Sequence, residues 1–254
     1  MGYLHEGHIS LVKKSKTFAD FTIVSVFVNP TQFAPNEDFN QYPRDIERDK
    51  QLLVEAGVDI LFLPEPEKIY PAGFQTFIEV EKVSRILEGE ARPTHFKGVT
   101  TIVSILFNCV KPDYAFFGQK DAQQVAVIKR MVKDLKMDVE IIACPLIREA
   151  DGIARSSRNI YLSETERKDA LVLNRSLLLG KQLIEKGETS ALHVIEKMKE
   201  LIATISYSQL DYAQITDVET FSIQEELKPG TEYYLLVACR FGKTRLIDNI
   251  IVKA

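Results

Sequence analysis

Two histidines three residues apart, His5 and His8, open this chain with Gly2 and Gly7 around them, ahead of an amphipathic stretch carrying Ile9 and Val12. Imidazoles and unshared backbone N–H groups converging on a helix N-terminus favour an anion, and phosphate is the natural guest. Surface or capping histidines are the bland alternative, and a metal pair a lesser one. Four more clusters fall at strand-to-helix joints, where open α/β sheets bind ligands. Asn29-Pro30-Thr31-Gln32-Phe33 follows the strongest apolar run, so Gln32 can read a carboxylate or hydroxyl, against the competing reading of an ordinary capped turn. Phe116 to Asp121 leads into Gln123 and Gln124, with Lys120 placed to neutralise phosphate, although a simple cap explains Asp121 alone. Arg148, Arg155, Ser156, Ser157 and Arg158 surround Asp151-Gly152, as in a loop closing over polyphosphate or in a solvated linker. In Arg92-Pro93-Thr94-His95-Phe96, a structural role explains His95 as well as a functional one.

Other chemistries lack their spacings. There is no G-x-G-x-x-G or G-x-x-x-x-G-K-[ST] fingerprint, and Gly242-Lys243-Thr244 has no upstream glycine. H-E-x-x-H, G-x-S-x-G and paired C-x-x-C are absent, which removes local support for zinc hydrolysis and the usual serine hydrolase arrangement. The three cysteines, Cys109, Cys144 and Cys239, lie far apart in apolar surroundings and read as reduced, buried packing thiols.

The elements that must hold these clusters follow from periodicity. Phe21 to Val28, Val58 to Leu63, Tyr114 to Gly118 and Val139 to Leu146 read as parallel strands buried on both faces. Val99, Ile102, Val103, Leu106 and Val110 fall on one helical stripe, and Val125, Ile128, Met131, Val132 and Leu135 on another. Asp45 to Ala56 reads as a charged surface helix whose Asp45 to Lys50 cluster is a solvated face. Ser163 with Glu166 reads as a capping box opening a helix to about Lys186, which resumes from about Ser190 to Thr204. Leu210 to Val218 and a hairpin, Tyr233 to Arg240 then Thr244 to Val252, complete an α+β second region. The expected fold is α/β, a Rossmann-like doubly wound parallel sheet over residues 1–150 with a smaller C-terminal α+β lid domain over 151–254.

The 254 residues suit one large or two modest domains at roughly 150 residues each. With 32 Lys+Arg against 36 Asp+Glu, the net charge of −4 argues against a nucleic-acid partner, so a phosphate site must be local. No apolar run spans a membrane and the first ten residues lack a signal-peptide core, which points to a cytoplasmic protein.

Taken in order, M-G-x-L-H-x-G-H, F-V-N-P-x-Q-F, Y-P-R, R-P-x-H-F, F-F-G-x-K-D-x-Q-Q and the S-S-R-N loop resemble the pantothenate synthetase family, over nearly the whole chain. The family's superfamily is the nucleotidylyl transferases, whose H-x-G-H signature cradles ATP phosphates. The resemblance implies that the carboxylate of (R)-pantoate attacks the ATP α-phosphorus to give pantoyl adenylate and pyrophosphate. β-Alanine then attacks the acyl carbon, releasing pantothenate and AMP. It implies ATP as co-substrate, Mg²⁺ with it, and a homodimer.

By the same resemblance Met1, Gly2, Tyr3, Leu4, His5, Glu6, Gly7 and His8 lie against ATP, with His8 as proton donor and His5 stabilising charge beside the α-phosphate. Gly118, Gln119, Lys120, Asp121 and Ile147 match ATP contacts, and Arg155, Ser156, Ser157 and Arg158 a mobile loop over the triphosphate. Catalytic weight falls on His8, His5, Lys120, Ser156, Ser157 and Arg158. Gln32 and Gln124 match pantoate-holding residues, Gln32 also near β-alanine, and Asn29, Tyr42, Arg92 and His95 join the substrate set. No residue is assigned to a metal. Gln119 stands where many members carry glutamate, a change catalysis is expected to survive. Members also carry about thirty residues before this methionine, including a strand whose loss would leave backbone groups unpaired. A truncated, impaired binding protein and another nucleotidylyl transferase are the alternative readings.

Overall fold

The structure, a computed structural model, describes residues 2–35 and 37–254. The chain divides into two compact units, Met1–Pro145 and Leu146–Ala254. In the first, α1 (Glu6–Ser15) precedes β1 (Ile23–Ser25), which pairs in parallel with β2 (Ile60–Phe62) across α2 (Ile46–Glu55). A second parallel pair, β3 (Tyr114–Gly118) and β4 (Glu140–Cys144), is bridged by α6 (Ala122–Leu135). Parallel neighbours need a crossover, and each helix supplies one. Short helices α3 (Pro66–Ile69) and α4 (Glu88–Ala91) lead to α5 (His95–Val110), which feeds β3.

The expected apolar stripes do the packing. Val99, Ile102 and Val103 of α5 meet Ile128 and Met131 of α6, Phe27 beyond β1 and Phe117 of β3. A second cluster joins Leu4, Val12, Val26 and Leu53, so the segment before α1 is itself anchored in a core. Burying each such side chain contributes roughly 1.5–3 kcal/mol.

Three expectations are corrected. The strands are not buried on both faces: Ile23 to Ser25 and Tyr114 to Gly118 are half-buried and Ile60 is exposed. Among the described residues each parallel sheet has two strands, so every strand has one flank without a ladder neighbour. The Asp45 to Lys50 cluster is not all solvated, because Asp49 turns inward and is 1% exposed. Cys109 is exposed near the end of α5, whereas Cys144 and Cys239 are buried; all three are free thiols.

The second unit packs α7 (Glu164–Glu185) and α8 (Ala191–Ile202) on an antiparallel sheet of β5 (Gln209–Asp217), β6 (Glu232–Phe241) and β7 (Thr244–Lys253), with β6 central. Ser163 and Glu166 form the expected capping box, each side chain accepting the other's backbone N–H, at 3.3 and 2.8 Å. Leu177, Val194, Met198, Ile202, Leu235 and Val237 are fully enclosed in its core. Among the described residues no helix is long and apolar enough to cross a membrane. Leu177→Ala is expected to lower unfolding stability by about 2–5 kcal/mol in urea titration, because two helices and a sheet cannot all relax into the void.

Candidate active site

The turn before α1 is built by two imidazoles that satisfy each other's backbone. His5 is the N-cap, and its Nδ1 accepts from Gly7 N at 3.1 Å; His5 N donates to His8 Nδ1 at 3.2 Å. A helix cannot satisfy its own first amides, and this reciprocal cap supplies partners for two donors. The cap also sets the tautomers. In a neutral ring whose Nδ1 accepts, the proton must sit on Nε2, so both rings present an Nε2–H. Their centroids lie 4.0 Å apart. A Cβ on Gly7 would sit 2.9 Å from His5 Cε1, which is why glycine separates the histidines. Burial, then the neighbouring His5 and the charge of Lys120, hold the His8 pKa well below the ordinary histidine value. His8 is therefore a neutral hydrogen-bond donor at pH 7, with no stored imidazolium proton.

A second network aims one amide. Asn29, 2% exposed, donates from Nδ2 to Gln32 Oε1 at 3.2 Å and to Gly98 O at 3.1 Å. Its Oδ1 accepts from Thr31 Oγ1 at 3.1 Å and Tyr70 Oη at 2.8 Å. Both donors and both lone pairs of the Asn29 side chain are thus engaged within the chain. Gln32 Oε1 is thereby turned toward Asn29, which fixes the orientation of the Gln32 amide. The Gln32 main-chain carbonyl accepts from Arg92 Nη2 at 3.3 Å and His95 Nδ1 at 3.0 Å. Glu37 holds Arg92 in place at 2.6 and 2.8 Å. A Cβ on Gly98 would come within 2.5 Å of Thr31 O, so only glycine lets α5 close against this turn. Burial first, and the Arg92 charge second, lower the His95 pKa to about 4. Arg92 draws the Glu37 carboxyl below its usual value, even though burial acts the other way. Tyr42 is buried edge-on against Phe33, with ring centroids 5.9 Å apart.

The end of β3 supplies the third part. Lys120 Nζ lies 3.5 Å from Asp121 Oδ1, and Gly118, Gln119, Lys120 and Asp121 are all half-buried. The paired glutamines separate. Gln123 donates to Val83 O and Ile86 O at 2.8 and 2.7 Å and accepts from Glu88 N at 3.0 Å, a brace for the preceding loop, while Gln124 is half-buried beside it. The charge of Lys120 acts on His8 and that of Asp121 on His95, so the start of α1, the end of β3 and the Gln32 network share one region of the first unit.

In the second unit, Ile147 to Arg155 form a tight hairpin in which Arg155 N donates to Ile147 O at 2.9 Å. Arg148 makes a two-pronged ion pair with buried Asp248, at 2.7 and 2.9 Å, which ties the hairpin to β7. Glu149 accepts from Asn159 Nδ2 at 2.8 Å and Arg167 Nη2 at 2.6 Å and lies 3.6 Å from Arg155. Ser156 caps the short 3-10 helix Ser157–Tyr161, accepting from Arg158 N at 3.3 Å. Ser157 is buried; Arg155, Ser156 and Arg158 are half-buried.

Gly2 and Leu4 are buried, Tyr3 is half-buried, Glu6 is exposed, and Met1 lies outside the described residues. Sequence reasoning missed Arg48 and Asp49. Asp49 accepts from Tyr3 N at 2.8 Å and Leu4 N at 2.6 Å, and Arg48 Nη1 donates to Leu4 O at 2.9 Å. The only signal was an acidic residue on the inward side of a helix stripe beside Leu53.

The chain matches the family model described as pantoate-beta-alanine ligase over residues 1–251. It is 53% identical over 253 residues to a pantothenate synthetase of Acetivibrio thermocellus, covering 100% of this chain and 89% of that protein. The pantothenate synthetase of Caldicellulosiruptor bescii is also 53% identical, over 254 residues, with the same coverage. A crystal structure of pantothenate synthetase from Thermus thermophilus matches with a TM-score of 0.94 at 45% identity, covering 98% of this chain and 90% of that one. A Francisella tularensis pantoate-beta-alanine ligase, complexed with beta-gamma ATP and beta-alanine, matches with a TM-score of 0.76 at 37% identity, covering 99% and 87%.

The low His95 pKa sets a pH dependence. Its unfolded value of about 6.5 exceeds the folded value of about 4, so between these limits the unfolded chain binds more protons and acid favours unfolding. Stability from this group is complete above pH 6.5 and falls toward pH 4 by up to about 1.4 kcal/mol per unit. Melting temperatures at pH 7, 5.5 and 4.5 are expected to fall less steeply in His95→Asn, whose amide still reaches the Gln32 carbonyl. An unchanged slope would reject this assignment.

Proposed function

This chain belongs to the pantoate-beta-alanine ligase family, and from that premise we propose how its residues divide the ATP-dependent joining of pantoate to β-alanine. In the first step a pantoate carboxylate oxygen bonds to the α-phosphorus as the bond to the pyrophosphate leaving group breaks. In the second, the neutral amine of β-alanine adds to the acyl carbon of pantoyl adenylate, and AMP departs as the proton is lost.

The observation that carries the residue assignment is the reciprocal cap, which keeps Nε2–H on both His5 and His8 at the positive end of α1. Both then donate to phosphate oxygens as negative charge builds at the α-phosphate, with Lys120 adding a cation within electrostatic reach of His8. His8 acts by hydrogen-bond donation in this reading, since burial disfavours its protonated form. Gly2 to Gly7 and Gly118 to Asp121 line the nucleotide, with Met1 carried on resemblance alone. Gln32, its amide oriented by Asn29, holds pantoate, and Gln124 joins it because Gln123 is engaged as a brace. Asn29, Arg92 and His95 serve the substrate by fixing Gln32, and Tyr42 by packing beneath that turn. Ile147, Arg155, Ser156, Ser157 and Arg158 are proposed nucleotide contacts, and Arg148 is excluded from phosphate duty by its pair with Asp248.

Mg²⁺ is proposed to arrive with the triphosphate, whose oxygens suit a hard cation; it supplies charge neutralisation when bound. A homodimer and a cytoplasmic setting complete the reading, supported by the family and, for the latter, by three unbridged thiols.

The test is ATP–pyrophosphate exchange with (R)-pantoate and Mg²⁺ in the absence of β-alanine. Exchange is expected with pantoate and not with other small hydroxy acids, and His8→Ala is expected to lower its kcat by about 10²–10³-fold. Exchange supported equally by unrelated acids would overturn the substrate assignment, and full activity in His8→Ala would overturn the role of the turn.

A further inference from the structure

The segment that presents His5 and His8 contains a backbone conformation it would not adopt alone. Tyr3 has φ of +52°, in the left-handed region that disfavours a bulky side chain. Such a residue persists only where its surroundings over-determine it. Here the surroundings are two consecutive residues of α2. The Asp49 carboxylate chelates the Tyr3 and Leu4 amides at 2.8 and 2.6 Å. Arg48 Nη1 donates to the Leu4 carbonyl at 2.9 Å, and its guanidinium lies over the Tyr3 ring at 4.9 Å. Both polar groups of Leu4 are therefore held from one helix. Leu4 itself is 3% exposed and immediately precedes the N-cap.

The charge balance bears on why a carboxylate stands here. Asp49 is 1% exposed and lies beneath a turn read as an anion site, with Arg48 Nη1 3.8 Å away. On electrostatics alone a buried negative charge there opposes a triphosphate. A carboxylate in that place is explained by what it does to the backbone: two charge-assisted hydrogen bonds that a neutral side chain cannot both supply. The histidine cap fixes ring tautomers, but nothing in the cap fixes where the turn sits. Leu4 packs among Val12, Val26 and Leu53, and the polar hold on its backbone comes from α2.

We propose that Arg48 and Asp49 are positioning residues for nucleotide binding, clamping Tyr3 and Leu4 so that the His5 and His8 donors face the phosphates. The inference rests on reading this turn as the phosphate site. It assigns the clamp no contact with substrate.

The sign of the effect separates positioning from electrostatics. Asp49→Asn removes one negative charge, which by itself would tighten ATP binding; if the clamp matters, it weakens binding instead. ATP affinity is measured by calorimetry on the whole chain, for wild type, Asp49→Asn and Arg48→Ala, with melting temperature recorded for each. Arg48 is 42% exposed in its side chain, so Arg48→Ala keeps the fold if Asp49→Asn does not. The expected result is a loss of ATP affinity of about tenfold or more in both variants, as for a misplaced binding turn. In the exchange assay the ATP KM rises and the pantoate KM stays at the wild-type value. Unchanged or tighter ATP binding in Arg48→Ala and in folded Asp49→Asn overturns the clamp, as does a parallel rise in both KM values. ATP binding that is intact in wild type and weakened in the variants, without pantoate-dependent exchange, would count against the ligase reading and still support the clamp.

Discussion

The first amides of α1 have no partners inside their own helix, and how they are satisfied governs the chemistry of the first unit. A serine cap would meet that need with a hydroxyl. Two histidines meet it with ring nitrogens, and in doing so commit each ring to one tautomer. Backbone satisfaction thus also decides which ring nitrogen carries the proton, and the nitrogen left protonated is the one directed away from the cap. Glycine at position 7 follows from ring size, and the lowered His8 pKa follows first from burial and then from the neighbouring His5 and Lys120 charges.

The Gln32 network repeats this logic with different groups. A side-chain amide has an accepting end and a donating end that exchange places on a half-turn, and it reads a ligand reliably only when one end is fixed. Asn29 takes the carbonyl end of Gln32, while Arg92 and His95 hold its main-chain carbonyl. The Asn29 side chain makes all four of its hydrogen bonds within the chain. The residues around Gln32 thus act on its orientation, and the half-buried Glu37–Arg92 pair steadies the outermost of them. In the second unit, the Arg148–Asp248 and Arg167–Glu149 ion pairs and the Asn159–Glu149 hydrogen bond hold the loop that carries Arg155 to Arg158.

Clustering alone did not reveal which polar residues are occupied structurally. Gln123 and Gln124 are adjacent and chemically identical, yet one braces three backbone groups and the other is half-buried with a different outlook. Arg148 and Arg155 sit in one loop, yet Arg148 pairs with a residue a hundred positions away. Helix rotation decides the first case, and a long-range partner decides the second.

Features that depend on neighbours along the chain were legible in the residues alone: the apolar stripes of α5 and α6, the Ser163–Glu166 cap, the β6–β7 hairpin and the clustering of polar residues after β1 and β3. These rest on interactions within about four residues or on simple periodicity, and both are visible in a string of letters. Folding had to supply the burial of Asp49 and its hold on Leu4 across forty-five positions. It also set the half-buried state of strands whose composition reads as fully buried, and which of two like residues, Gln123 and not Gln124, braces the preceding loop. The physical reason is common to all three. Burial and hydrogen-bond partnership are properties of what packs opposite a residue, and the spacing of a residue in its own segment carries no record of that.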